Sequence, residues 1–251
     1  MGEGCGRLSQ AGSSPRIRFG WGAHGASRGA ARGDLVLLID ALRASVTIMA
    51  ALRAGAARVV PVGSVDAARA YQGRPGYLIA GERGGAKLPR FHYGNSPSEI
   101  LAHASDVAGH VLVLTTSNGT QAVSAALGGA TGLLAGSTVN ATVAADALIQ
   151  HASAHGCDIT LVGAGLGEER SEEDDYAQRL IAGYLAERGA LADQAFEPAL
   201  ASAGQHVFDG AKAAARLRRL GYAEDVRLCA QVDLWETVPI YRSDGFYLLS
   251  A

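Results

Sequence analysis

Asp34-Leu-Val-Leu-Leu-Ile-Asp-Ala-Leu-Arg-Ala-Ser45 is the stretch that decides the fold. Residues 35–39 are apolar without a break, so they read as a strand covered on both faces, the pattern of a parallel sheet between helices. An acid and an arginine follow, and 44–54 then reads as a helix stopped by Gly55. Strand, polar turn and helix in that order form the unit of an α/β chain.

The unit recurs on both sides of that stretch. Arg16-Ile-Arg-Phe-Gly-Trp21 alternates polar and apolar residues, as a half-buried edge strand does. Residues 58–62 read as a strand followed by a short helix at 64–71. Residues 77–80 read as a strand followed by a Gly-rich loop at 81–96. Ser96, Pro97 and Glu99 form a capping box with Pro at the first helical position. Strands at 111–114, 132–135 and 159–162 precede helices at 120–127, 139–154 and 172–188. Ala-rich helical segments continue to about 220. Residues 226–230 and 238–241 read as strands, and Ser243-Asp-Gly245 turns the chain into Phe246-Tyr-Leu-Leu249, a terminal hairpin. The expectation is a three-layer α/β/α fold with a largely parallel or mixed central sheet. Residues 1–15, rich in Gly and Ser and lacking the apolar segment of a secretory leader, read as a flexible tail, and 16–251 as a single domain.

Composition narrows the function. Hydrophobic residues at 48% supply a sizeable core. Lys and Arg total 22 against 24 Asp and Glu, a balance that argues against binding nucleic acid through a broad basic field. No stretch reaches the ~18 unbroken apolar residues of a membrane span. Cys5, Cys157 and Cys229 are odd in number and lack metal-ligand spacing, which disfavours a disulfide framework and a cysteine zinc site. The expected location is the cytoplasm. His151 and His155 stand four apart on what reads as a solvated helix face, without a third zinc ligand. Gly163-Ala-Gly-Leu-Gly167 fails the dinucleotide fingerprint because residue 168 is Glu, and neither a Walker A loop nor a G-x-S-x-G elbow is present.

Sites in open α/β sheets form beyond the carboxyl ends of strands. Asp40 and Arg43, Glu82 and Arg83, the run Thr115-Thr-Ser-Asn-Gly-Thr120, Ser137 and Asn140, and the glycines from 163 all follow apolar runs. Thr115–Thr120 is the best anion site, because hydroxyls and helix N-terminal amides cradle phosphate without a lysine; a plain N-cap by Ser117 is the other reading. Asp40 and Glu82 are the best metal candidates, since a hard cation such as Mg2+ takes carboxylate oxygens together with phosphate oxygens. The competing reading has Asp40 capping the next helix and Glu82 paired with Arg83. Arg43 and Arg83 suit bidentate anion binding or surface ion pairs. Ser171-Glu-Glu-Asp174 has the form of a capping box, with Glu173 or Asp174 as possible additions to the metal site.

Six segments, in order, carry a family resemblance: Ile39-Asp-Ala-Leu-Arg-Ala-Ser45, Gly81-Glu-Arg-Gly-Gly85, Gly94-Asn-Ser-Pro97, Leu114-Thr-Thr-Ser-Asn-Gly-Thr120, Gly136-Ser-Thr-Val-Asn-Ala141 and Val162-Gly-Ala-Gly165. Together they resemble the Mg2+-dependent 2-phosphosulfolactate phosphatases, with Glu173-Asp174 and Gly221-Tyr-Ala-Glu-Asp225 extending the likeness. The resemblance implies hydrolysis of 2-phosphosulfolactate to sulfolactate and phosphate. On that basis Mg2+ is expected on Asp40, Glu82 and Asp174. Ser117, Asn118, Gly119 and Thr120 are expected around the phosphate, and Arg43 on the charge that grows in the transition state. Arg83, Asn95, Ser96 and Asn140 are expected to grip the carboxylate and sulfonate. The attacking group is either water or a protein oxygen such as that of Asp40. Gln178 and Arg179 depart from the small residue and Gly usual in the family, which opens the substrate question. The alternatives are a phosphatase for another small organic phosphate and a non-catalytic anion-binding protein; the intact set Asp40, Arg43, Glu82 and Asn118 argues against the latter. The expected partner is a small anionic phosphorylated substrate, and the sequence assigns no oligomeric state.

Overall fold

A computed structural model describes residues 14–165 and 169–249. Residues 1–13 of the expected tail, with Cys5, and Gly167–Glu168 of the glycine motif lie outside the described residues. The elements in chain order are β1 (Arg16–Trp21), α1 (Gly22–Ala31), β2 (Leu35–Ile39), α2 (Ala44–Arg53), β3 (Arg58–Pro61), α3 (Val65–Arg69), β4 (Tyr77–Arg83), β5 (Ala86–Lys87), α4 (Pro97–Ala102) and α5 (Ala104–Val107). Then come β6 (Val111–Thr115), α6 (Gly119–Ala126), β7 (Gly132–Gly136), a 3-10 turn (Thr138–Asn140), α7 (Ala141–His155), β8 (Ile159–Gly163) and α8 (Glu172–Glu187). The chain continues through β9 (Leu191–Ala192), a second 3-10 turn (Ala201–Ala203), α9 (Gly204–Gly210), α10 (Lys212–Arg219), α11 (Ala223–Cys229), β10 (Pro239–Arg242) and β11 (Gly245–Leu248).

Every residue of β2 is buried, as its unbroken apolar run dictates. It pairs in parallel with β7 on one side and β8 on the other. The sheet order is β5-β4-β6-β3-β11-β10-β7-β2-β8-β1-β9, giving a three-layer α/β/α fold with a mixed central sheet. Two parallel blocks, β4-β6-β3 and β7-β2-β8-β1, are joined by the antiparallel hairpin β10–β11. The hairpin touches each block through one register pair, Phe246 with Val59 and Ile240 with Leu134.

Both junctions are antiparallel, so the two blocks run in opposite senses along the ladder. In a flat sheet their carboxyl ends would lie on opposite edges, not on the single rim expected from sequence. The ends nevertheless meet: α6, which follows β6, packs against α1 and β2 of the other block, and Asn118, just past β6, donates its side-chain amide to the Gly165 carbonyl, just past β8, at 3.1 Å.

Several elements differ from the sequence expectation. The small-residue stretch after β1 is the helix α1, which fits because Gly25 lies flat on Gly20; a Cβ on Gly25 would come within 2.6 Å of the Gly20 carbonyl carbon. β4 runs on to Arg83 and turns through Gly84 and Gly85, both with positive φ, into β5, so Glu82 sits on a hairpin strand rather than in a loop. Residues 226–230 fall in and just after α11, a helix, not a strand. At the start of α4, Ser96 Oγ accepts from the Glu99 amide, but the Glu99 carboxylate takes Gly94 N–H and Lys87 instead of closing the capping box. The Pro15 carbonyl, placed in the tail by sequence, accepts from Leu191 at the sheet edge. Among the described residues no helix is long and apolar enough to cross a membrane.

Candidate active site

Asp40 leaves β2 at the point where the chain turns into α2. Its Oδ1 accepts the Ala44 amide at 3.0 Å, and its own amide donates to Ser45 Oγ at 3.0 Å. One of its oxygens therefore holds the first amide of α2, as one sequence reading expects, while the side chain also lines the cleft. Asp174 lies in the first turn of α8. Its Oδ1 accepts Ala41 N–H at 2.7 Å and its Oδ2 accepts Gly165 N–H at 2.8 Å, fixing the turns after β2 and β8 rather than closing a capping box. Glu82 comes from the other block. Its Oε1 accepts Ser117 N–H and its Oε2 accepts Gly85 N–H, both at 2.7 Å. It is not paired with Arg83.

These three acids and Glu173 line one open-mouthed cleft, and all four are buried. Burial, then the charge of Asp174, pushes Asp40 up to about 8; Glu82 and Glu173 push the same way and the Ala44 amide opposes them. Burial and Asp174 push Glu173 up to about 7. Asp174 is also raised by burial, against the pull of its backbone donors. Three helix N-termini aim at this cluster. Asp40 caps α2, Asp174 belongs to the first turn of α8, and a Cβ on Gly119 at the start of α6 would lie 2.9 Å from Asp40 Oδ2. Positive helix ends offset part of the repulsion between the acids.

No group of three or more His, Cys, Asp and Glu among the described residues is already gathered as a ready metal cage. The donor chemistry nevertheless fits a hard cation. Each carboxylate oxygen that accepts one N–H keeps a lone pair. The Oδ1 of Asn95, a residue that lines the cleft, is buried without a hydrogen-bond partner. An all-oxygen set of this kind suits Mg2+ or Ca2+ and not a soft metal.

The family model described as 2-phosphosulpholactate phosphatase matches residues 24–244. The chain belongs to the 2-phosphosulfolactate phosphatase family. It is 36% identical over 215 residues to a probable 2-phosphosulfolactate phosphatase of Carboxydothermus hydrogenoformans, covering 83% of this chain and 87% of that one. It is 35% identical over 216 residues to a protein of the same name from Thermus thermophilus, covering 83% and 88%. Its identity to the 2-phosphosulfolactate phosphatase of Methanothermobacter thermautotrophicus is 36% over 220 residues, covering 86% and 90%.

The site residues expected from resemblance to the 2-phosphosulfolactate phosphatases divide into two groups. Asp40, Arg43, Glu82, Asn95, Ser117, Asn118 and Asp174 line the cleft. Gly119 adjoins it, because only a residue without Cβ leaves room for Asp40. Arg83, Ser96, Thr120 and Asn140 are placed elsewhere. Arg83 turns back onto the sheet, donating to the Glu82 carbonyl of its own strand and to Thr115 Oγ1 of the neighbouring β6. Ser96 caps α4 and donates to Asp225. Thr120 bonds Thr116 within the α6 turn. Asn140 is fully buried, accepting from Ser137 N–H and donating to the Thr237 carbonyl. Each of these side chains is taken up by hydrogen bonds to the protein itself rather than turned into the cleft. The Ser117 amide is likewise held by Glu82, so it is not a phosphate donor in this arrangement.

Arg43 is more constrained than its sequence position suggested. It is 2% exposed, donates to Asp225 at 2.6 Å and to the Gly85 carbonyl at 2.7 Å, and stacks on Tyr222 with its guanidinium carbon 4.4 Å from the ring centroid. The departures from the family pattern lie away from the cleft. Gln178 bonds the Gly20 and Leu161 carbonyls, and Arg179 pairs with Asp175. The strand-end reading gives no role to Asp225 or Arg216; the structure places the first beneath the site and the second in its wall. Neither follows a strand, so the strand-end rule had no hold on them.

Proposed function

We propose that this protein hydrolyses a phosphomonoester with the help of Mg2+, converting 2-phosphosulfolactate and water to sulfolactate and inorganic phosphate. The observation that carries the reading is the crowding of Asp40, Glu82, Glu173 and Asp174 in one cleft beside the N-terminus of α6. Four buried acids repel one another and call for a cation, while the helix end favours an anion. A divalent cation and a phosphate together satisfy both demands. Membership of a phosphatase family supports the same chemistry.

Asp40, Glu82 and Asp174 would hold the ion, with Asn95 Oδ1 within the same cleft. When bound, Mg2+ neutralises the acids and draws off charge from the transferring phosphoryl group. The remaining roles belong to the chain. The Gly119 amide, at the positive end of α6, orients a phosphate oxygen. Arg43, immobilised by Asp225 and Tyr222, presents a fixed positive charge that needs no rearrangement as the transition state forms. The backbone bonds to Glu82 and Asp174 hold the acids in place, so positioning, the main demand of phosphoryl transfer, is met before substrate arrives. The P–O bond to the sulfolactate carbon skeleton breaks as an oxygen of water bonds to phosphorus.

The test is phosphate release from 2-phosphosulfolactate with Mg2+, with EDTA, and with Asp40→Asn. Release that needs Mg2+ and fails in the variant supports the reading. Background release under all three conditions contradicts it and favours a non-catalytic anion binder.

A further inference from the structure

Two cationic side chains line the cleft among the described residues, Arg43 and Arg216. Arg43 is committed to Asp225, the Gly85 carbonyl and Tyr222. Arg216 makes no ion pair and no side-chain hydrogen bond among the described residues, although it shares its cleft with four acids. On α10, Arg219 is likewise without an ion pair among the described residues but does not line the cleft, and the other two cations are paired. Lys212 pairs with Glu169 at 3.7 Å and Arg218 pairs with Asp209. Arg216 thus lines the cleft that holds four carboxylates, with none of them within ion-pair distance of its guanidinium, which leaves its donors open to an anion that enters the cleft.

Its position is built. The Gly84–Gly85 turn, which carries the amide held by Glu82 and the carbonyl held by Arg43, packs directly under α10. A Cβ on Gly85 would come within 3.3 Å of Leu217 and 3.8 Å of Arg216 Cδ. Leu217 is buried and anchors the helix. The stem of Arg216 therefore rests on the same turn that fixes Glu82, and little side-chain freedom is lost when it binds.

We propose that Arg216 determines substrate specificity by taking a second anionic group, a carboxylate or sulfonate, of a phosphomonoester whose phosphate lies at the acid end. The assignment rests on the phosphatase reading above and adds to it the residue that recognises the rest of the substrate. A guanidinium binds planar carboxylates and sulfonates through paired hydrogen bonds, which a single phosphate at the far end would leave unused. It also replaces Arg83, which the fold directs to Thr115.

The experiment compares 2-phospholactate with isopropyl phosphate, two esters that differ by one carboxylate, in the wild type, Arg216→Ala and Arg216→Lys. The wild type is expected to prefer the carboxylated ester. In Arg216→Ala the ratio of the two kcat/KM values should collapse roughly 10–100-fold, mainly through KM, the size of a lost charge-assisted hydrogen bond; Arg216→Lys should recover part of it. A structural role would lower both substrates alike, and an unchanged ratio overturns the proposal. Calorimetry with sulfoacetate, which carries no phosphate, separates this from failure of the phosphatase reading. If the wild type hydrolyses neither ester but binds sulfoacetate at least tenfold tighter than Arg216→Ala, the anion role stands without the phosphatase. Equal binding, or none in the wild type, overturns it.

Discussion

Asp40 accepts the amide of Ala44, touches the start of α6 and lies among three other acids, so one substitution there tests several consequences at once. Its folded value of about 8 stands above the ordinary 3.8 of an unfolded chain. The folded protein then binds the extra proton between those limits, and in EDTA its stability should fall as pH rises from about 4 to about 8. Denaturant midpoints across that window check the sign, and Asp40→Asn should flatten the slope. The same variant should lose at least the ~10–100-fold in activity that removal of a mere supporting group costs a metal site. Gly119→Ala offers a second residue-scale test. Its Cβ would press on Asp40 Oδ2 at 2.9 Å and on Ala44 at 3.2 Å. We expect phosphate release to drop about tenfold or more while stability shifts by less than ~1 kcal/mol, because Ala is the better helix former.

At the scale of elements, α11 ties the site to the rest of the structure through Asp225. The Oδ1 of Asp225 accepts from Ser96 and Ser98 at the start of α4, and its Oδ2 accepts from Arg43. Asp225→Ala strands a buried guanidinium, and an equilibrium unfolding curve should show a loss of about 3–5 kcal/mol. This element was the least legible in the sequence. Val226, Arg227 and Leu228 alternate as a strand does, yet Asp225, Val226 and Cys229 bury one helical face; a run this short does not separate the two periods. By contrast, β2 was legible because five apolar residues in a row admit few alternatives, and the β10–β11 turn because Asp-Gly is a strong hairpin signal. Asp40 and Glu82 were found as polar residues at strand ends. The same rule also selected Arg83 and Asn140, because a polar side chain after a strand serves the turn as readily as a ligand. Gly84-Gly85 carried an unread signal of a two-residue hairpin, which would have moved Glu82 onto a strand.

Across the whole molecule, the cleft exists because two parallel blocks of opposite sense are turned toward each other through one hairpin. Sequence patterning fixed the units but not this reversal, which depends on the antiparallel register of Phe246 with Val59 and Ile240 with Leu134. Phe246 is fully buried at that seam. Phe246→Ala should cost about 3–5 kcal/mol in unfolding free energy and should reduce activity, since acids from both blocks must share the cleft. Asp40 and Asp174 of one block and Glu82 of the other are proposed to hold a single divalent ion. The direct measurement is an anomalous difference map from crystals grown with Mn2+ as a substitute for Mg2+. We predict one strong peak bounded by the carboxylates of Asp40, Glu82 and Asp174. No peak in that cleft, or a peak at a site away from these three acids, would show that they do not share an ion.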